Sequence, residues 1–197
     1  MKKVKLYRIQ ENTKDYSYFL QTNWSDLSES IKMKSLHEQK WKPFDLNKYV
    51  IPEFDLNSSD TGKRNFQHDI STHTSPFYIF SENAVEALKD ILESRGQFLP
   101  INTPSKRKKF IGYYPTNPLI DTIDIEKSGM KDYDYKSMGI KADNLYFKKG
   151  TILDEYLFSL SEDRRYVFIT EKFKERVEEA GLKGFDFVNS QKIVTVE

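Results

Sequence analysis

Near the start of the chain Val4, Leu6 and Arg8 alternate with Lys5, Tyr7 and Ile9, a pattern that predicts a strand. Residues 16–20 form a second β-prone run. Between Trp24 and Trp41, Leu27, Ile31 and Leu36 fall at loosely helical spacing and predict a helix. Residues 48–51 are β-like until Pro52, which removes a backbone donor and marks an edge or an end. Residues 56–65 are polar and turn-rich and read as a linker or loop. A soft boundary between that loop and Pro76 divides a β-rich N-terminal region, residues 1–75, from residues 76–197, the two expected to form one unit.

The pattern is sharper beyond the boundary. Residues 77–80 are a short aromatic strand, and Ser81 follows where an N-cap belongs. A serine oxygen there accepts from an orphan amide, and Glu82 suits the positive end of the helix. Ala84, Val85, Leu88, Ile91 and Leu92 make one apolar stripe, so a helix is predicted over 82–95, with Gly96 as its left-handed stop. The same grammar recurs 89 residues later, from Ser81 to Thr170. Residues 166–169 are a strand, Thr170 the cap, and Phe173, Val177 and Ala180 the stripe of a helix over 171–180. Gly181 stops it and Leu182 supplies the apolar contact of a Schellman ending. An internal duplication and two independent βαβ-like solutions both account for the echo. Strand candidates at 98–101, 110–114, 119–125, 144–147 and 155–160 lie between and around the two helices. Many strands and two main helices predict an α+β fold, with a mixed or antiparallel sheet and the helices packed on it.

Composition adds limits. A chain of 197 residues buries about 70% of its unfolded surface, enough for a core without staples. There is no cysteine, which excludes disulfides and thiolate chemistry. No apolar run follows the basic start, so no secretory signal is expected, and none approaches the ~20 residues of a membrane span. A cytoplasmic location without membrane contact is the expectation. Net charge is +1, but Lys106, Arg107, Lys108 and Lys109 form a basic run, and residues 121–134 hold five acids against Lys127 and Lys131. Near neutrality is therefore an average over opposed patches, which suits a protein partner better than a bare polyanion.

Each candidate for chemistry has a plainer competitor. His68, Asp69 and His73 suggest a metal site, but the only other histidine is His37 and the spacing matches no zinc signature. Hydrogen-bonded loop histidines are the default, with no metal expected. Asp121, Asp124 and Glu126 suggest an acid–base pair, yet a half-buried strand with one wet side gives the same pattern. Residues 105–114, with the basic run, Phe110, Tyr113 and Tyr114, suggest a nucleic-acid surface, and equally a solvated turn beside core aromatics. Phosphate-binding and nucleophile-elbow motifs are absent from the sequence. Asp132, Tyr133, Asp134 and Tyr135 alternate acid and tyrosine in a loop, a combination that supplies interface anchors and charge.

Ala180, Gly181, Leu182, Gly184, Phe185 and Phe187, following the strand and capped helix over 166–180, resemble the ending of the eleventh immunity-protein family of bacterial polymorphic toxin systems. The upstream helix with Gly96, Phe98, Leu99, Pro100 and Ile101, and residues 121–128, are similar too. The resemblance spans about residues 76–190. It implies a protein that binds and neutralises a cognate toxin, without cofactor and without catalysis. Its matching positions build the fold and are not carried over as toxin contacts. The expected toxin-binding residues are Tyr113, Tyr114, Asp132, Tyr133, Asp134 and Tyr135. A nucleic-acid binder using residues 105–114, or a small enzyme with an acidic pocket, are the alternatives.

Overall fold

The computed structural model describes residues 4–128, 145–188 and 193–195. In chain order the elements are β1 (Leu6–Glu11), β2 (Tyr18–Gln21), a 3-10 turn (Leu27–Glu29), α1 (Ile31–Met33) widening into a π-helical stretch (Lys34–Gln39), β3 (Phe54–Asn57), β4 (Ile70–Ser71), β5 (Tyr78–Ser81), α2 (Glu82–Leu92), β6 (Gly96–Leu99), β7 (Phe110–Pro115), β8 (Pro118–Leu119), β9 (Leu145–Phe147), β10 (Leu157–Leu160), β11 (Asp163–Thr170), α3 (Glu171–Glu179), β12 (Phe185–Val188) and β13 (Ile193–Thr195). The class is α+β, with mixed and antiparallel sheets.

Two sheets carry the architecture. One has the order β4-β5-β7-β6, the other β12-β1-β11-β10-β8; β2-β3 and β13-β9 are two-stranded ladders. In the first sheet β5 and β6 both run antiparallel to β7, so they are parallel to each other and α2 is their crossover. In the second, β11 and β12 both run antiparallel to β1, and α3 is the crossover. The repeated grammar of the sequence is thus two split βαβ units, each opened by one inserted strand. Residues 1–75 supply the central strand β1 of the second unit and the edge strand β4 of the first.

Alternation decides which residues meet. Along β11, Val167 and Ile169 enter a large core shared with Tyr7, Ile9, Phe80, Leu88, Phe173 and Val177. Phe168 and its neighbour Tyr166 face a smaller cluster with Leu6, Ile123, Phe147 and Phe158 on the opposite side of the sheet. Most of each helix stripe read from sequence is buried, Ala84, Leu88, Ile91 and Leu92 on α2 and Phe173 and Val177 on α3, whereas Val85 is half-buried and Ala180 is exposed.

The helix ends separate expectation from outcome. Ser81 caps α2, its Oγ accepting from the Ala84 amide at 3.2 Å. Gly181 has φ +64° and closes α3 with both Schellman bonds, Leu182 N to Val177 O at 3.1 Å and Gly181 N to Glu178 O at 3.0 Å. Thr170 occupies the N-cap of α3 but does not cap with its side chain; its hydroxyl donates to Glu155 O at 2.8 Å. Gly96 is no left-handed stop. It opens β6, where a Cβ would lie 2.5 Å from the Tyr113 ring and 2.6 Å from Tyr114 O. Close approach, not φ, requires glycine there.

Three other expectations change. The region between Trp24 and Trp41 holds three short helical pieces rather than one helix. Residues 48–51 pair with no strand, and β3 begins beyond Pro52 at Phe54 and runs two residues into the stretch read as a loop. Of residues 119–125 only Leu119 lies in a strand, with an isolated bridge from Ile123 to Phe147.

Candidate functional site

Tyr113 and Tyr114, expected at a toxin-facing surface, are both 0% exposed. They sit on β7 between two neighbouring strands. The Tyr113 hydroxyl donates to Leu92 O at 3.1 Å. That of Tyr114 donates to Ser35 O at 3.0 Å and accepts from Trp41 N at 2.9 Å. Burial pushes both phenols above their ordinary pKa. A partner cannot touch either ring without opening the core, so this pair is corrected from interface to core. Asp132, Tyr133, Asp134 and Tyr135 lie outside the described residues.

The basic run is also divided. Lys108 turns inward, its Nζ donating to Asp69 Oδ1 and to His68 O, each at 2.7 Å. Phe110 packs against Phe19 and His68. Lys106, Arg107 and Lys109 remain outside, so residues 105–114 do not form one basic–aromatic face.

Among the described residues Asp121, Asp124 and Glu126 do not converge with a histidine, the arrangement an acid–base site there would need. Asp121 pairs with Lys148. Asp124 receives the Lys127 amide at 3.1 Å, which with the Lys127 ammonium holds its carboxyl below the usual range. Glu126 is exposed. Asp121 lies in a bend and Glu126 in the turn over 125–128, so the three acids are not on the strand that the sequence predicts.

The histidines part company. His73 is exposed and stacked on Tyr18 at 5.5 Å, its Nδ1 3.8 Å from Glu11 Oε1. His37 is exposed. His68 is 0% exposed, with ring neighbours Phe19 and Phe110, and among the described residues neither ring nitrogen makes a well-formed hydrogen bond. Burial, reinforced by Lys108, pushes it down to about 4. Among the described residues no three His, Cys, Asp or Glu side chains converge as a metal site.

Asp69, read from sequence as a loop residue, is a buried joint. Its Oδ1 accepts from Ser81 Oγ at 2.6 Å and from Lys108; its Oδ2 accepts from the Lys183 amide at 2.7 Å. Its backbone amide donates to Lys183 O at 2.8 Å, and its carbonyl accepts from Ser81 N at 3.0 Å. One carboxylate thus holds the start of α2 to the turn after α3. Gly184 in that turn has φ +85°, and a Cβ there would lie 3.0 Å from His68 Cβ.

Two surface features escaped the sequence reading. Trp24, Leu27, Val50 and Ile51 are exposed, and Asn23 ties their segments together by donating to Ile51 O at 3.1 Å and accepting from Glu53 N at 2.7 Å. A cleft of about 550 Å³ is lined by Arg8, Glu11, Lys32, Tyr78, Arg165 and Tyr166 among others. The available signal for the cleft was Arg8 itself, a cation inside an apolar alternation beside Leu6.

Among the described residues no helix is long and apolar enough to cross a membrane. The model of the immunity protein family Imm11 matches residues 52–192, and so begins upstream of the resemblance visible by eye. No curated protein matches the chain.

Proposed function

The chain belongs to the Imm11 immunity protein family, and from that premise we propose that it binds a cognate bacterial toxin and holds it inactive. The family match, which covers most of the chain, carries this reading. The protein acts by occupancy rather than turnover and needs no cofactor. Its place of action is the cytoplasm of the cell it protects, where it meets a toxin of a polymorphic system used in competition between bacteria. Loops around a rigid scaffold supply the specificity. The alternating Asp132, Tyr133, Asp134 and Tyr135 are the proposed anchors in this role, in place of the buried Tyr113 and Tyr114.

Co-expression with the toxin encoded beside this gene is the test. Growth rescue and co-purification are expected, and failure of both refutes the reading for that pair. Within a confirmed pair, replacing Tyr133 and Tyr135 together by alanine is expected to weaken toxin affinity at least about tenfold, since buried interface tyrosines each contribute ~1–2 kcal/mol. Unchanged affinity removes those anchors and leaves the toxin reading standing.

A further inference from the structure

The ladder between β1 and β11 ends where Arg8 lies opposite Phe168. Beyond it β1 continues along β12 and β11 along β10, so the two strands part. Residues on both sides of the parting line the cleft, whose volume of about 550 Å³ falls in the range of ligand sites.

The lining is cationic. Arg8, Lys32 and Arg165 stand against a single carboxylate, Glu11. That carboxylate is already engaged: its Oε2 accepts from the Ser71 hydroxyl and the Thr72 amide, each at 2.7 Å. Arg165 reaches Asp163 at 3.5 Å, while among the described residues no carboxylate pairs with Arg8 or Lys32. The Arg8 guanidinium lies 3.5 Å over the Tyr166 ring and that of Arg165 lies 4.9 Å from it. Stacking fixes the plane of a guanidinium and leaves its N–H edge for a planar oxyanion. The Nε atoms of Arg8 and Arg165 are sealed from solvent and find no acceptor among the described residues. Two cations share one ring in a cleft short of counter-charge, an arrangement that an incoming anion relieves.

We propose that this cleft docks an acidic segment of a protein partner, with an aspartate or glutamate carboxylate taken by Arg8 and Arg165 and Lys32 at the rim. The guanidiniums already occupy Tyr166, so its ring is not free to stack a nucleobase, which favours a carboxylate over a nucleotide. The identity of the partner rests on the toxin-binding reading; the chemistry of the cleft does not.

Calorimetric titration of the full chain at low salt tests it, with a blocked hexaglutamate peptide as probe, hexaglutamine as neutral control, and citrate and inorganic phosphate as small anions. Saturable binding of hexaglutamate is expected, at least tenfold tighter than either small anion, with none for hexaglutamine. Lys32→Glu and Arg165→Gln should each weaken it at least fivefold. Lys32 is exposed, so its reversal leaves the fold intact. Equal or tighter binding of citrate or phosphate overturns the protein-partner assignment in favour of a free anion. Absence of saturable binding, or binding unchanged in both variants, overturns the site. None of these results bears on growth rescue, which judges the toxin reading separately.

Discussion

The two split βαβ units make the same crossover by different means. In the first, β5, α2, β6 and the inserted β7 are near neighbours in sequence. In the second, β11, α3 and β12 wrap around β1, which lies far upstream. Each inserted strand sends a tyrosine hydroxyl to its helix, but to opposite ends. Tyr113 on β7 donates to Leu92 O at the end of α2, and Tyr7 on β1 donates to Glu171 at the start of α3. The caps differ too. The Ser81 hydroxyl serves its helix and the Asp69 joint together, whereas the Thr170 hydroxyl is spent on Glu155 O. The crossover is therefore specified by the apolar stripe and the strand before it. The inserted strand and the cap chemistry are free to vary.

If the joint between the units matters more than either unit's own cap, Asp69→Ala is the largest lesion. It leaves the half-buried Lys108 without its carboxylate and strips acceptors from Ser81 and the Lys183 amide. A loss of about 3–5 kcal/mol in urea unfolding is expected, as for removal of one partner from a buried ion pair. A loss below about 1 kcal/mol would show the units holding together without the joint.

Acid should strike the same place next. His68 is neutral when folded, with a pKa lowered from 6.5 to about 4. The unfolded chain then binds more protons than the folded one between those values, so this contribution to stability is whole above about pH 6.5 and falls as pH drops toward 4. The full span corresponds to roughly 3 kcal/mol. His68→Phe should flatten the fall in melting temperature between pH 7 and pH 4.5; an unaltered slope would acquit His68.

The smallest effect discriminates best between the caps. Ser81→Ala should cost about 2 kcal/mol and speed amide exchange at Ala84, since cap and joint both lose a bond. Thr170→Ala should cost about 1 kcal/mol and leave exchange in the first turn of α3 unchanged. Equal acceleration at both helix starts would erase the contrast.

What was legible in the sequence was local. The stripes of α2 and α3, the Ser81 cap and the Gly181 stop each depend on residues within a few positions. Strand insertion depends on pairing across the chain, and nothing in Leu6, Tyr7 or Ile9 says which strands they will join. Tyr113 and Tyr114 were misplaced because two adjacent tyrosines leave the exposure of a strand's faces undecided; here β7 is covered on both. His68 and Asp69 sit among Asn65, Gln67 and Lys63, so their neighbourhood reads as a wet loop. The phenyl rings that bury His68 come from Phe19 and Phe110, remote in sequence. Beyond the signal of Arg8, the cleft was illegible for a related reason: Arg8, Lys32 and Arg165 lie on three separate elements.

The place of β1 also sets an order of events. It leaves the ribosome before every other strand described here, yet both of its partners, β11 and β12, follow only after β2 to β10 have emerged. The first unit can close while translation continues; the second must wait, with β1 unpaired, for a contact of long sequence separation. The sheet around β1 is complete only once translation has passed β12. A chain truncated before β12 would carry the complete first unit and still lack one side of the sheet around β1.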